Sequence, residues 1–140
     1  MVDALIHIHK QLKPAGLLID IQPTDRYLPV YVKEAGTTPS LVGHVDVENM
    51  LPKYKAADDA LNQTLKRGLY QITAQLKTDF CIYFDQVDAC RQYLANEWTS
   101  AHLPETAWQK IEKLMQAEGR PKKIFFSEVV QFTRLSKTKK

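Results

Sequence analysis

The chain has 140 residues, 44% hydrophobic and 25% charged, which is enough length and apolar content for one domain with a buried core and argues against disorder. Its net charge of +3 is mild; part of it comes from Arg120, Lys122 and Lys123 and part from Lys137, Lys139 and Lys140, with no basic stripe interleaved with aromatics, so nucleic acid is not an expected partner. No apolar run approaches the ~20 residues of a membrane span and no basic region leads into an apolar N-terminal core, so no membrane partner is expected and the cytoplasm is the expected compartment.

Leu5, Ile8 and Leu12, widened by Ile6, recur at helical spacing and predict an amphipathic helix near residues 3–13. Pro14 stops it and Gly16 supplies the turn. Leu17, Leu18, Ile19 and Ile21 follow without alternation, as in a strand buried on both faces. Pro23, Thr24 and Asp25 read as a loop. Residues 28–33 (LPVYVK) and 41–47 (LVGHVDV) flank EAGTTPS, with its Gly36 and Pro39, and read as a β-hairpin. In the second strand Leu41, Gly43, Val45 and Val47 are expected on one face, and Val42, His44 and Asp46 on the other. A helix is expected over residues 50–67, with Pro52 in its first turn, Leu51, Tyr54, Ala57, Leu61 and Leu65 as its stripe, and Gly68 as its stop. Residues 69–76 and 80–84 read as one long bent strand or as a hairpin. Asp85 is the expected N-cap of a helix over residues 86–97 carrying Val87, Cys90, Tyr93 and Leu94. The next helix, over 104–118, carries Trp108, Ile111, Leu114 and Met115 and ends at Gly119, before Pro121. Residues 123–135 read as a long strand rich in β-branched and aromatic side chains. Cys81 and Cys90 form no Cys-x-x-Cys pair and read as small core residues.

The stretch VDALIHIHKQLKPAGLLIDIQ, a helix running through LKPxG into an apolar strand, resembles a unit in the second half of class I S-adenosylmethionine-dependent methyltransferases. YFDQVD, a strand leading into an Asp-capped helix, and the last strand with its Arg134-Leu135 ending resemble later passages of that family, in the same order. Ala15 stands where the family's motif has its first glycine. The resemblance covers nearly the whole chain. It implies an α/β fold, mixed and α+β-like: a partial Rossmann-like methyltransferase sheet with an added hairpin at residues 28–47 and helices packed on the sheet. The last strand should insert antiparallel between residues 17–22 and 69–84. The organisation it implies is one truncated methyltransferase-like domain over residues 1–136, followed by a basic tail over 137–140.

That family holds its cofactor with a Gly-rich turn and a ribose-binding carboxylate, both upstream of anything matched here. The five glycines, Gly16, Gly36, Gly43, Gly68 and Gly119, form no G-x-G spacing. The chain is therefore expected to begin in the middle of such a domain and to carry no cofactor site of its own. The function this implies is association, either with itself or as a subunit of a larger assembly. The alternatives are a component of a split methyltransferase, completed by a cofactor-binding partner subunit, and a small-ligand-binding domain. The expected partner is a second copy in a homodimer. A strand whose neighbour is missing leaves Leu17, Leu18, Ile19 and Ile21 as the candidate dimer edge.

Other groups carry less. His7 and His9 lie about 200° apart on a helix and cannot share a metal ion, so no metal site is expected. His44 and Asp46 share a strand face without a third ligand. None of Ser40, Ser100, Ser127 and Ser136 sits in a G-x-S-x-G elbow, and no catalytic residue is assigned. The hairpin occupies the place where related enzymes shape their acceptor pocket, which makes Tyr31, His44 and Tyr54 the candidate ligand pocket.

Overall fold

Helix stripes and turn residues set the element boundaries. The computed structural model describes residues 1–24 and 28–138, and among them are four α-helices and five strands. They are α1 (Val2–Gln11), β1 (Leu17–Pro23), β2 (Leu28–Glu34), β3 (Ser40–Val45), α2 (Leu51–Lys66), β4 (Tyr70–Phe84), α3 (Val87–Asn96), α4 (Glu105–Gln116) and β5 (Lys122–Lys137). Asp25 of the expected loop and Lys139 and Lys140 of the expected tail lie outside the described residues. Lys137 is the last residue of β5.

The strand order is β1-β5-β2-β3, with β4 also on β5. The expected mixed sheet is instead antiparallel at each described ladder. For β4 the direction follows from its contacts with β5: Thr73 reaches Arg134, Gln75 reaches Thr133, and Cys81 reaches Ser127. β1, β2 and β4 run the same way and each meets β5, which runs against them, so the described ladders bring no two parallel strands together.

The chain divides into two compact units. The first holds Met1–Thr24, Met50–Thr78 and Val129–Lys140. Within it β5 lies between β1 and β4, in the position expected for the last strand. Leu135, Thr133, Ala60, Thr64 and Tyr70 are its buried side chains. The two core threonines differ from solvent-facing ones in needing partners; the Thr64 hydroxyl donates to the Leu61 carbonyl at 2.8 Å. Tyr70 donates to the Leu5 carbonyl at 2.8 Å and meets the His9 ring edge-on at 5.3 Å, which ties β4 to α1. Burial raises the Tyr70 pKa.

The second unit holds Asp25–Asn49 and Asp79–Glu128. β2 pairs with β3 and with the first part of β5. Val30, Val32, Ile124 and Phe126 bury their side chains together with Cys90, Leu94, Trp108 and Ile111 of the helices. Phe126 meets Phe84 and Trp98 at centroid distances of 5.5 and 6.3 Å. A Cβ on Gly43 would sit 2.7 Å from the Ala107 Cβ, so glycine lets α4 approach β3.

Four local expectations are corrected. β1 is not buried on both faces: Leu17, Ile19 and Ile21 are exposed and alternate with half-buried Leu18, Asp20 and Gln22, because nothing among the described residues covers their side. Leu41 and Val42 exchange faces. The register shifts there, leaving Val42 as an extra, buried residue in a bulge while Leu41 is exposed beside Tyr31. Asp85 does not cap α3, whose N-cap is Gln86 without a side-chain bond; its carboxylate instead lies 3.3 Å from Lys123 Nζ. Cys81 is half-exposed rather than core, because residues 71–80 of β4 are all exposed and the strand is a single long edge rather than a covered run.

Ala15 stands at φ 60°, in the left-handed region that costs a Cβ-bearing residue free energy. Ala15→Gly is expected to stabilise the fold by about 0.5–1 kcal/mol in urea titration. Gly43→Ala, which must force α4 outward, is expected to destabilise it by about 1–3 kcal/mol in the same measurement.

Candidate functional site

Two surfaces stand out, one in each unit. In the first unit, strand pairing places Leu17, Ile19, Ile21 and Pro23 beside Ser136, Arg134, Phe132 and Val130 on one face of the sheet. Leu17, Ile19, Ile21, Ile72 and Leu76 are 44–64% exposed. Isolated exposed leucines are ordinary; Leu17, Ile19 and Ile21 in succession on one face of an edge strand form a patch of the kind that marks an interaction surface.

The backbone of β1 adds a second feature. The Lys137 N–H donates to the Gly16 carbonyl at 3.0 Å, and the Thr24 N–H donates to the Val129 carbonyl at 2.9 Å. Even-numbered residues of β1 therefore point their backbone groups at β5. The N–H and C=O groups of Leu17, Ile19 and Ile21 point the other way, to an edge with no described neighbour. Of the candidate edge residues, three supply both the exposed side chains and the outward backbone groups. Leu18 belongs to the opposite face, half-buried next to Leu135.

In the second unit the helix-free face carries a row of aromatics. Tyr31 stacks on Phe125 at 5.1 Å and an interplanar angle of 21°, and Tyr83 meets the other side of Phe125 at 5.1 Å. Leu41 lies beside Tyr31, and His44 lies opposite Pro29 on the same face. Lys33 is paired with Lys123 one row away, and Asp85 neutralises part of that charge. The closeness of Cys81 raises the Tyr83 pKa. Of the candidate pocket residues, then, Tyr31 and His44 share a surface, while Tyr54 sits on α2 in the first unit.

Chemistry-bearing clusters elsewhere are engaged in packing. A wide-mouthed depression of about 540 Å³ is lined by Arg91, His102, Glu105 and Trp108, among others. Its guanidinium is already committed: Arg91 bonds Glu112 at 2.7 Å and lies 4.3 Å above the Trp108 ring. Asp46, expected to share a strand face with His44, lies past β3, and its backbone bridges to His102. Among the described residues no three His, Cys, Asp or Glu side chains converge as metal ligands, and no helix is long and apolar enough to cross a membrane.

The Tyr31-Phe125-Tyr83 row was missed by sequence reasoning because its members come from three strands separated by dozens of residues. The alternation of the β2 and β5 strands was the only available signal. The chain matches no protein-family model and no curated protein.

The two thiols should report the difference between these environments. Cys90 is fully buried, and burial pushes its pKa up to about 12. Iodoacetamide at pH 8 is expected to modify Cys81 and to spare Cys90 until the chain is unfolded, as read by peptide mass spectrometry. Because the unfolded thiol ionises near 9.0 and the folded one near 12, Cys90 favours unfolding progressively as pH rises between those values and has no such effect below them.

Proposed function

We propose that this chain is a methyltransferase-derived domain that works by association, with a second copy as its partner, and that β1 carries the contact. The observation behind this reading is the coincidence on one strand of an open backbone edge and an exposed apolar face at Leu17, Ile19 and Ile21. Burial stabilises by about 25 cal/mol per Å², so leaving such a face wet forgoes free energy that is large beside a domain's net stability. A two-fold partner presents the same patch and covers both at once.

The family origin is supported by the order of elements. A helix leads through LKPAG into β1, and the last strand lies antiparallel between β1 and β4. The same order favours a second reading, in which a cofactor-binding half on another chain extends the sheet at β1. That partner would run parallel to β1, as the neighbouring strand does in the family the chain resembles.

Size-exclusion chromatography with light scattering separates these. At micromolar concentration the chain alone is expected at twice its 16.1 kDa mass, and Ile19→Lys is expected to return it to the monomer. A monomeric wild-type chain would overturn the homodimer. Calorimetric titration of S-adenosylmethionine into the chain is expected to give no measurable heat of binding; micromolar affinity would refute the absence of a cofactor site.

A further inference from the structure

We infer that two copies join by pairing β1 with β1 in one antiparallel register, centred on Ile19; this rests on the association reading above. The inference follows from which backbone groups are free. In an antiparallel pair, residues that exchange hydrogen bonds must both point their N–H and C=O groups at the partner. On β1 these are the odd-numbered residues. A two-fold axis lying between residues would set odd positions against even ones and is excluded. The axis must pass through a residue.

Three centres keep the edge in play. Centring on Leu18 places Ile21 against Ala15, which sits at φ 60° in the turn and cannot continue a ladder. Centring on Asp20 sets Leu17 against Pro23, which has no N–H, and sets Asp20 directly against the partner's Asp20. That is a non-hydrogen-bonded site where like charges meet with Cβ atoms only about 4.5 Å apart. Centring on Ile19 avoids both faults. Ile19 pairs with the partner's Ile19, and Leu17 pairs with the partner's Ile21 on each side of the axis. Every outward N–H and C=O of these three residues finds a partner. On the other face Asp20 lies beside the partner's Leu18, which separates the two carboxylates diagonally. The exposed side chains form an uninterrupted apolar ladder, Leu17-Ile21, Ile19-Ile19 and Ile21-Leu17.

This register makes Leu17 and Ile21 neighbours only across the axis, since within one strand they stand about 13 Å apart. Two double variants at these exposed positions test it. Leu17→Glu with Ile21→Glu sets glutamate against glutamate twice and is expected to give a monomer by light scattering. Leu17→Lys with Ile21→Glu sets lysine against glutamate twice and is expected to keep the dimer. Far-UV circular dichroism and urea midpoints should be alike for the two, because neither position is in the core. If both variants remain dimeric, association stands and this pairing falls. If both are monomeric, or only the lysine–glutamate variant is, the Ile19-centred register is overturned. A monomeric wild-type chain removes both.

Discussion

β5 must satisfy two cores with opposite parities of one strand. Ile124 and Phe126 are buried at its start, and Thr133 and Leu135 near its end, while residues 127–132 between them are all half-buried. Neighbouring side chains of a strand face opposite ways, so a strand used in this manner cannot alternate apolar and polar residues throughout. KIFFSEVVQFTRL accordingly reads as a nearly continuous β-branched and aromatic run. Every other strand except β3 pairs with it, and β3 is reached through β2. A polar residue in place of Phe126 or Leu135 would therefore disturb a packed cluster and the ladders flanking it together.

The same central role explains what is left uncovered. A strand with neighbours on both sides hands its edge problem outward, to β1, β3 and β4. The helices in each unit cover one side of the strands they contact, and the other side remains available. In the second unit that side is filled by aromatics stacked on one another, with Phe125 shielded by Tyr31 and Tyr83 to 8% exposure. In the first unit the aliphatic side chains of β1 and β4 have no such mutual cover. The two surfaces thus differ physically: one largely satisfies itself laterally and the other does not.

The helices were legible because a stripe at helical spacing and a stop residue specify them locally. Pro14, Pro52 and Gly68 punctuate α1 and α2, and Gly68 takes a φ of 64°. The hairpin was legible for the same reason, through Gly36 and Pro39. The bulge at Val42 was not, because it depends on what β2 presents opposite it rather than on the alternation of β3 itself. β1 misled most. Four aliphatics in five positions carry the same pattern whether a strand is buried on both faces or on one, and only the covering elements decide. Of the four residues read as a candidate edge, Leu17, Ile19 and Ile21 are exposed and Leu18 falls on the other face. Tyr31 and His44 share a surface because hairpin pairing is local; Tyr54 belongs to α2 in the first unit.

The three edges are treated differently by the sequence, and that contrast bears on β1. Natural sheets blunt an open edge with charge, a bulge, shortness or cover. β4 is long but carries Gln71, Gln75, Lys77 and Asp79 along its exposed stretch. β3 is short, carries the bulge at Val42, and leads into the Asp46–His102 bridge. β1 has seven residues with no bulge and no lysine; its single charge, Asp20, is half-buried on the opposite face, and only Pro23 at its end interrupts the edge. A long, flat, apolar edge without such protection is a template for pairing with another strand. The protection of β3 and β4 therefore makes the bareness of β1, at Leu17, Ile19 and Ile21, a property of that strand rather than of the sheet.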